Sequence, residues 1–439
     1  MPPLLIPRRR ALQGLALGGG LLAFGGALTG CAPSTGFGPD LRPDPTKPEG
    51  VDLLPDVEHI VIYMQENRSY DSYFGMLGRG DGFTLDGTGT PTNSNLDANG
   101  NVVRVHHAAS TCDNSSHAGQ NWNATYDERN GGAMDGFARM SPSAMQYWDR
   151  TDLPFYYGLA DNFVLCDRWF ASAPAQTHPN RRYLQAATSV GLVETSVEKV
   201  LATPDAPNGT IWDRLDAHGI GWRDYCYDLP DFALFPRVAA TNSEKISTIT
   251  DFLNHCAAGY LPSVSIVSPG DTSFSEESQD IQRGEAYSAM LVNAVMASPQ
   301  WPKTVMFFMY DEHGGCYDHV APPAAVAPDD IAPDINPATD RPGGFDVYGM
   351  RVPAIVISPF AKRDYVSHVV HDHTSVLRFI ETKWNLGALT RRDAAASNLL
   401  DTLDFSAKPF LEPPSLPAPA IPDAVSKCGD SGPGLPVPT

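Results

Sequence analysis

The feature that most constrains the fold is a strand pattern that ends abruptly in charge. Residues 304–309 form the apolar run TVMFFM, and residues 310–319 continue as YDEHGGCYDH. A short, aromatic-rich apolar run bounded by polar residues and glycine is typical of a strand buried on both faces. Asp311 and Glu312 would repel each other at its end unless a positive group lay between them. Because ligands bind beyond the carboxyl ends of strands in parallel sheets, the pattern predicts a divalent metal ion there.

A second stretch has the same design. Residues 58–64 read EHIVIYM and run directly into QENRSYDSYFG at 65–75. Glu66 offers a carboxylate and Asn67 an amide carbonyl, so with Asp311 and Glu312 the chain presents oxygen donors of the kind that suit a hard cation. The chain contains no Cys-x-x-Cys pair, which argues against a thiolate metal site. The alternative interpretation of both stretches is a polar strand end that forms a turn.

Strand and helix patterns alternate along the rest of the chain. They predict further strands at 162–166, 263–268 and 352–357, and helices at 284–298 and 373–386. Such alternation favours a three-layer α/β core, with a mostly parallel sheet and helices on both faces. A helix–strand unit is predicted around 211–225, and the remainder of 191–260 is interpreted as a cap or loop insertion over the site.

A candidate nucleophile lies in the run SAPAQTHPNRRYL at 172–184, which predicts a loop entering a helix. Pro179 suits the first helical position, so Thr177 would lie just before the helix N-terminus. Backbone amides and the helix dipole favour a phosphate or a developing alkoxide there. The alternative is a capping threonine without a chemical role. Arg181, in the first turn, is interpreted either as a phosphate ligand or as a surface or structural arginine.

The N-terminus is predicted to direct export. Three arginines at 8–10 precede a Gly/Ala/Leu run, and Leu28-Thr29-Gly30-Cys31 follows. This order is typical of a twin-arginine signal peptide with a bacterial lipobox, in which Cys31 becomes the lipidated first residue. Ordinary signal cleavage nearby is the alternative. The predicted organisation is a signal peptide at 1–30, a solvated tether at 31–52, one catalytic domain at 53–405 and a Pro-rich tail at 406–439, which forms either an extended wrap or a disordered end.

The net charge of the protein limits the kinds of molecule that it can bind. Removing residues 1–30 takes away three arginines and no acids, which leaves 51 acidic and 28 basic residues and a net charge of −23. Such a surface repels nucleic acid and anionic lipid. We therefore expect no nucleic-acid partner, membrane contact only through the N-terminal lipid anchor, and an exported protein that is either a cell-envelope lipoprotein or secreted. Besides Cys31 the chain has six cysteines, and their pairing cannot be deduced from the sequence.

Four motifs, in order, resemble those of the bacterial phospholipase C and acid phosphatase family of phosphoesterases. They are ENRSYDSYFG at 66–75, THPNR at 177–181, YDEHGGCYDHVAPP at 310–323 and HTSVLRFIE at 373–381. The resemblance extends over roughly residues 57–400 and implies a core similar to that of the alkaline phosphatase superfamily. It also implies that Thr177 is the nucleophile and that a metal ion is held by Glu66, Asn67, Asp311 and Glu312.

The same resemblance suggests roles for other polar residues. His117 resembles a family histidine that contacts phosphate or acts as an acid/base. We assign a catalytic role to His319 and substrate-binding roles to Asn180, Arg181 and Asp318.

The chain also departs from the family pattern. Members often show Ser-Glu-His-Pro where this chain has Ser275-Glu276-Glu277-Ser278, so a histidine is replaced by Glu277. The histidines that could replace it are His319, His178 and His313. Asn114 stands where an aspartate is common before the histidine aligned with His117.

The chemistry implied is metal-dependent hydrolysis of a phosphoric ester. A threonine hydroxyl is a poor nucleophile unless a metal or base lowers its pKa, and a hard cation does this while it neutralises transition-state charge. We expect a phospho-threonine intermediate, with phospholipase C activity as the first interpretation and acid phosphatase activity as the second. Aromatic side chains could hold a choline headgroup, and the candidates are Trp122, Tyr126 and Trp148.

Two other classes of protein, sulfatases and ligand-binding lipoproteins, share some of these features. Sulfatases share the superfamily and the proline–arginine spacing of residues 177–181, but threonine cannot yield their formylglycine. A surface lipoprotein that binds a ligand without turnover would explain the Cys31 anchor and the histidine missing at Glu277. Such a binding protein would not need a nucleophile together with a complete set of metal ligands.

Overall fold

The computed structural model describes residues 41–112, 118–270, 274–276, 279–428 and 434–438. An eight-stranded sheet forms the centre of this part of the chain. Its strands are β1 (His59–Gln65), β2 (Val164–Cys166), β3 (Trp222–Cys226), β4 (Ile246–Thr248), β5 (Val264–Val267), β6 (Thr304–Tyr310), β7 (Ala354–Ile357) and β8 (Val366–Ser367). Their order across the sheet is β8-β2-β7-β6-β1-β5-β3-β4.

The sheet is mostly parallel, as the alternating pattern predicted. Strand β1 lies between β5 and β6 and runs parallel to both. Only β7 runs the opposite way, because it pairs antiparallel with β6 on one side and with β2 on the other. Every residue of β6 is buried, as expected for a strand covered on both faces.

The α-helices flank this sheet. In chain order they are α1 (Tyr70–Phe74), α2 (Trp122–Arg129), α3 (Phe137–Met140), α4 (Pro154–Asn162), α5 (Thr177–Ala186), α6 (Val197–Ala202), α7 (Ile211–Ala217), α8 (Pro236–Thr241), α9 (Ile249–Ala258), α10 (Ile281–Met296), α11 (His373–Trp384) and α12 (Arg391–Ala395). None of the helices in the described part of the chain combines the length and the hydrophobicity that a bilayer span requires.

Helices cover both faces of the sheet. Neighbouring residues of a strand point to opposite faces. Phe308 of β6 contacts Tyr156 of α4, with ring centroids 5.4 Å apart. The preceding residue, Phe307, contacts Phe379 of α11 at 5.1 Å. Helices α4 and α11 therefore lie on opposite sides of β6, and the predicted three-layer α/β arrangement is confirmed.

The helix–strand unit predicted around 211–225 is confirmed as α7 and β3. The remainder of 191–260, which was predicted as a cap, has two parts. Residues 246–248 form β4 and extend the main sheet beside β3, so this part belongs to the core. The reason is burial: Trp222 and Tyr225 of β3 are buried and pair in register with β5. The part that lies near the predicted nucleophile consists of α6, a short 3-10 helix (Asp231–Leu234) and the residues on either side of that helix, and each of these contributes residues that line a cavity together with Thr177.

The N-terminal end of the described chain is attached to the core. The side chain of Asn385, just after α11, accepts a hydrogen bond from the Asp44 backbone amide at 2.8 Å. Lys383 of α11 binds the carboxylate of Asp52 at 2.9 Å. The described part of the predicted tether, 41–52, is therefore docked and is not a solvated spacer; Cys31 and the predicted signal peptide lie outside the described residues.

The Pro-rich tail runs along the core without forming a helix or a strand between residues 409 and 428. Phe410 packs against Phe163, with ring centroids 4.9 Å apart. The Ala420 amide donates to Glu285 of α10 at 3.3 Å. A disulfide then joins Cys428 to Cys112 across 316 residues of sequence.

We expect loss of this disulfide to destabilise the protein. A cross-link over so long a segment restricts the unfolded chain strongly, and removing a native disulfide typically costs about 2–5 kcal/mol. Cys428→Ser should lower the free energy of unfolding by that amount in denaturant titrations. A reductant should bring the wild type to the same value and leave the variant unchanged. Equal stability of wild type and variant without reductant would contradict the expectation.

Candidate active site

The predicted metal ligands meet at one edge of the sheet. Strands β1 and β6 pair in register up to Gln65 and Tyr310. The next residues on each strand, Glu66 with Asn67 and Asp311 with Glu312, therefore lie side by side beyond the carboxyl ends. Asn67, Asp311 and Glu312 are fully buried, and Glu66 is 7% exposed. The structure thus places all four predicted ligand residues on two adjacent strand ends.

Helix α5 brings Thr177 to the same place. Gln176 precedes the helix and Thr177 is its first residue, so Pro179 occupies the third helical position and not the first, as the sequence had suggested. The Thr177 hydroxyl donates to the Asn67 side-chain oxygen at 3.4 Å. The hydroxyl therefore lies at the positive end of the helix dipole and next to the oxygen donors.

Asn180 holds the loop that precedes this helix. Its side-chain amide donates to the Ala175 carbonyl at 2.8 Å, and its side-chain oxygen accepts from the Ala173 amide at 2.9 Å. The residue is fully buried. The structure shows a positioning contact for the Thr177 loop, and the substrate-binding role of Asn180 stays a prediction.

Arg181 lies one helical turn after Thr177 and contacts three carboxylates. Its Nε donates to Asp311 Oδ2 and its Nη1 to Asp231 Oδ1, both at 3.0 Å. Its Nη2 lies 3.6 Å from Glu66 Oε2. Arg181 is buried, which excludes the interpretation as a surface arginine. Whether it also contacts phosphate stays a prediction.

Acidic side chains outnumber this guanidinium. Burial raises the pKa of Asp311 well above its ordinary value, Arg181 opposes that shift, and neighbouring Glu66 and Glu312 add to it. A buried group of carboxylates needs either protons or further positive charge. Carboxylate and amide oxygens are donors that divalent cations prefer, so the charge excess and the donor types both fit such an ion.

His313 lies under the same edge and is not open to a ligand. Its Nε2 lies 2.7 Å from Glu128 Oε2 and its Nδ1 3.3 Å from Glu312 Oε2. Burial alone would lower the pKa of His313, but Glu128 and Glu312 raise it to about 10. The ring is thus an imidazolium that links the two carboxylates.

Asp318 and His319 belong to a different cluster. Arg351 donates to Asp318 and to Asp71, both at 2.9 Å. His319 Nδ1 lies 2.7 Å from Asp71 Oδ2. Asp71, Asp318 and His319 converge closely enough to hold a metal ion, but Arg351 already supplies positive charge between the two acids. Neither Asp318 nor His319 lines the cavity with Thr177, and their assigned roles stay predictions.

Glu276, which lies where the family often shows Ser-Glu-His-Pro, contacts one of the predicted metal ligands. The Glu276 amide donates to the Glu66 carbonyl at 3.2 Å. Its buried carboxylate accepts hydrogen bonds from three tyrosine hydroxyls, those of Tyr73, Tyr156 and Tyr310. Burial raises the pKa of Glu276 to about 7. His117 and Glu277, two positions singled out in the sequence, lie outside the described residues.

A cavity of about 700 Å³ opens beside Thr177. Its polar wall contains Glu66, Arg181 and Asp231, and its other walls are mainly apolar. The apolar lining residues include Val197, Val200, Leu201, Leu229, Pro230 and Leu234. The candidate choline-binding residues Trp122 and Trp148 are buried elsewhere, and neither they nor Tyr126 line the cavity.

Among the described histidines, His178 is the one that lines this cavity. It follows Thr177 in α5, and its Nδ1 is buried without a hydrogen-bond partner. Burial lowers the pKa of His178 to about 4, with a further contribution from Arg181, so the ring is neutral near pH 7. Of the three histidines considered as replacements, the structure places only His178 beside Thr177.

Sequence reasoning missed two contacts of the site. Asp231 comes from the short 3-10 helix after β3, where no pattern marked it. His373, at the start of α11, donates from Nε2 to the Asp311 carbonyl at 2.8 Å. Its Nδ1 accepts from the Trp169 indole at 3.3 Å, which fixes the tautomer. Position 373 opens the last family-like motif, and that was the available signal.

The cluster of His319 and Asp71 should make stability depend on pH. Burial alone would lower the pKa of His319, but the hydrogen bond to Asp71 raises it from 6.5 to about 9. The contribution is therefore complete below pH 6.5 and is lost as the pH rises through 9. His319→Gln should remove a stabilisation on the order of 2 kcal/mol at pH 6 and flatten the alkaline decline.

The matched control for this prediction is His106→Gln, at an exposed histidine. Denaturant titrations between pH 6 and pH 10 provide the measurement. An unchanged alkaline decline in His319→Gln would show that other groups cause it.

Comparisons with known proteins agree with this geometry. The Phosphoesterase family model matches residues 57–387. Non-specific phospholipase C4 of Arabidopsis thaliana is 32% identical over 389 residues, which cover 77% of this chain and 70% of the relative. Phospholipase C B of Mycobacterium tuberculosis is 30% identical over 427 residues, which cover 84% and 81%.

Two further similarities are more partial. Non-hemolytic phospholipase C of Pseudomonas aeruginosa is 31% identical over 423 residues, which cover 85% of this chain but 60% of that protein. A solved structure of a protein in the alkaline phosphatase superfamily from Vibrio parahaemolyticus aligns with 80% of this chain and 74% of its own, at 11% identity and a TM-score of 0.38. On the family match and the identities, this chain belongs to the phosphoesterase family and is a hydrolase that acts on phosphoric esters.

Proposed function

We propose that this protein is a metal-dependent phospholipase C that cleaves a phospholipid through a covalent intermediate on Thr177. The observation that carries the proposal is the cavity, because its mainly apolar walls begin at Thr177 and the buried oxygen donors. A phosphate monoester needs only the polar end of such a site. The glycerol and acyl portion of a phospholipid would also fill the apolar end.

The metal ion in this proposal would be held by Glu66, Asn67, Asp311 and Glu312. When bound, a divalent cation lowers the pKa of a nearby hydroxyl and offsets charge on phosphoryl oxygens. Support comes from the excess of buried acids over the single guanidinium of Arg181. The hydrogen bond from His373 to the Asp311 carbonyl fixes the backbone of this proposed ligand.

The reaction would proceed in two displacements. The Thr177 hydroxyl loses its proton to solvent as its oxygen attacks phosphorus. The bond from phosphorus to the glycerol oxygen breaks, and the glycerol oxygen takes up a proton and leaves as diacylglycerol. The headgroup phosphate is then an ester of Thr177. Water attacks the same phosphorus, releases the phosphorylated headgroup and restores the hydroxyl. Arg181, held by its carboxylates beside this position, would orient the phosphoryl oxygens.

His178 is the proposed donor of the leaving-group proton. It is neutral near pH 7 in the structure described, but an anionic phosphate within a few ångströms favours the protonated ring. The imidazolium could then donate to the departing glycerol oxygen, which general acid catalysis requires.

We also propose that the protein is exported and anchored through a lipid on Cys31. Support comes from the arginine-led N-terminal segment and its lipobox-like end. The Cys112–Cys428 disulfide supports export as well, because disulfides persist in oxidising compartments.

Replacing Thr177 tests the nucleophile. Thr177→Ala should lower kcat for phosphatidylcholine at least about 1000-fold, because the variant lacks the attacking oxygen. Thr177→Ser keeps a hydroxyl and should retain much more activity. In acid-quenched reactions the wild type should carry a headgroup phosphate on Thr177, detected by peptide mass spectrometry.

Thr241→Ala is the matched control, because this threonine lies at the end of α8 and does not line the cavity. A Thr177→Ala enzyme with wild-type turnover would contradict the proposal. Release of inorganic phosphate from monoesters in preference to phosphocholine from phosphatidylcholine would favour acid phosphatase.

The role of His178 makes a separate prediction about leaving groups. His178→Gln should slow release of diacylglycerol, a poor leaving group, by about 100-fold or more. Release of nitrophenol from an aryl phosphocholine ester needs little proton donation and should change by less than about tenfold. Equal losses on both substrates would assign His178 to binding and not to proton donation.

A further inference from the structure

Three of the most exposed large apolar side chains surround the mouth of the Thr177 cavity. Val197 is 68% exposed, Leu201 54% and Leu229 50%, and all three line that cavity. We call these residues the apolar rim. Isolated exposed apolar residues are common on protein surfaces, but a group at the mouth of one cavity marks an interaction site.

The positions of the rim residues in the fold explain why they are exposed. Val197 and Leu201 are separated by one turn of α6 and so share a face of the helix. Val200, between them, is buried and attaches the helix to the protein. Leu229 approaches from the irregular segment after β3. The rim therefore combines two chain segments at the opening, and a flat apolar partner could contact both at once.

The acidic residues near the apolar rim determine which lipid headgroups could approach it. Glu194 and Glu198 are exposed on and before α6. The nearby ammonium of Lys199 is paired with Asp334 at 2.7 Å. An acidic border repels anionic lipid headgroups, and it tolerates or attracts headgroups that end in a cationic group.

We propose that the apolar rim docks this protein on the surface of a zwitterionic phospholipid bilayer. The inference rests on the proposed phospholipase function, since a phospholipid would then pass from the bilayer through the rim to Thr177. Docking places the mouth of the cavity against the lipid, so the acyl chains need not cross water. It is a second membrane contact, separate from the proposed lipid on Cys31.

Vesicle binding tests this surface without depending on turnover. The protein is produced without residues 1–31, which precede all of the described residues, and carries Thr177→Ala so that lipid is not consumed. Binding to sucrose-loaded phosphatidylcholine vesicles is measured by sedimentation. The rim variant combines Val197→Ser, Leu201→Ser and Leu229→Ser.

A matched control is available in the same chain. Val102, Val425 and Leu411 are 64%, 65% and 50% exposed and do not line the cavity. Their triple replacement by serine removes two valines and one leucine at similar exposure, against one valine and two leucines in the rim variant. If the rim variant unfolds early, Leu201→Gln with Leu229→Gln keeps side-chain length and provides the same comparison.

We expect the rim variant to bind phosphatidylcholine vesicles at least tenfold more weakly, and the control variant to bind within twofold of the parent. Phosphatidylglycerol vesicles should bind the parent more weakly than phosphatidylcholine vesicles at low salt. Equal binding by the rim variant and the parent would overturn the proposal, as would absence of parent binding. A change of oligomeric state in the rim variant, seen by sedimentation velocity, would instead assign the rim to contact with a second copy.

The two proposals fail in different ways. If the parent binds vesicles through the rim but the protein with Thr177 intact releases no phosphocholine, the docking inference stands and the phospholipase proposal falls. If phosphocholine is released but the rim substitutions leave vesicle binding unchanged, the docking inference falls alone.

Discussion

The site depends on the burial of several carboxylates around a single guanidinium. Asp311, Glu66 and Asp231 all contact Arg181, and Glu312 adjoins Asp311 on the same strand end. Buried charge is costly unless it is compensated, and Arg181 together with His313, which contacts Glu312, supplies fewer positive charges than these carboxylates require. The excess negative charge is the physical reason to expect a divalent cation. It also explains why Arg181 is held inside the protein and not on its surface.

The register of two strands creates that burial. Strands β1 and β6 pair in register up to Gln65 and Tyr310. The polar residues after each strand therefore lie side by side at the same buried edge of the sheet. Helix α5 then adds Thr177 and Arg181, which are four residues apart and so face the same way. One helix thus supplies both the hydroxyl and the compensating charge. The neighbouring α6 supplies apolar surface, so the hydroxyl of Thr177 and the apolar side chains of α6 line one cavity.

Local patterns in the sequence were enough to predict six of the eight strands of the main sheet, the site edge and the helix that begins near Thr177. These features depend on short apolar runs and on the residues that follow them. The antiparallel direction of β7, the docking of Asp52 on Lys383 and the pairing of Cys112 with Cys428 were not predictable, since each depends on contacts between distant parts of the chain. The same holds for Asp231, which reaches Arg181 from a segment without periodicity. For His319 and Asp318, the predicted roles were catalysis and substrate binding, and their described contacts are with Asp71 and Arg351.

The most direct measurement is the divalent metal content of the purified protein by elemental analysis, after dialysis without chelator. We expect the wild type and Thr177→Ala to retain at least one equivalent per chain. Asp311→Asn, which keeps the shape of the side chain and removes its charge, should retain far less. A wild type that holds no divalent metal, or an Asp311→Asn protein that holds as much as the wild type, would contradict the assignment of these carboxylates to a metal site.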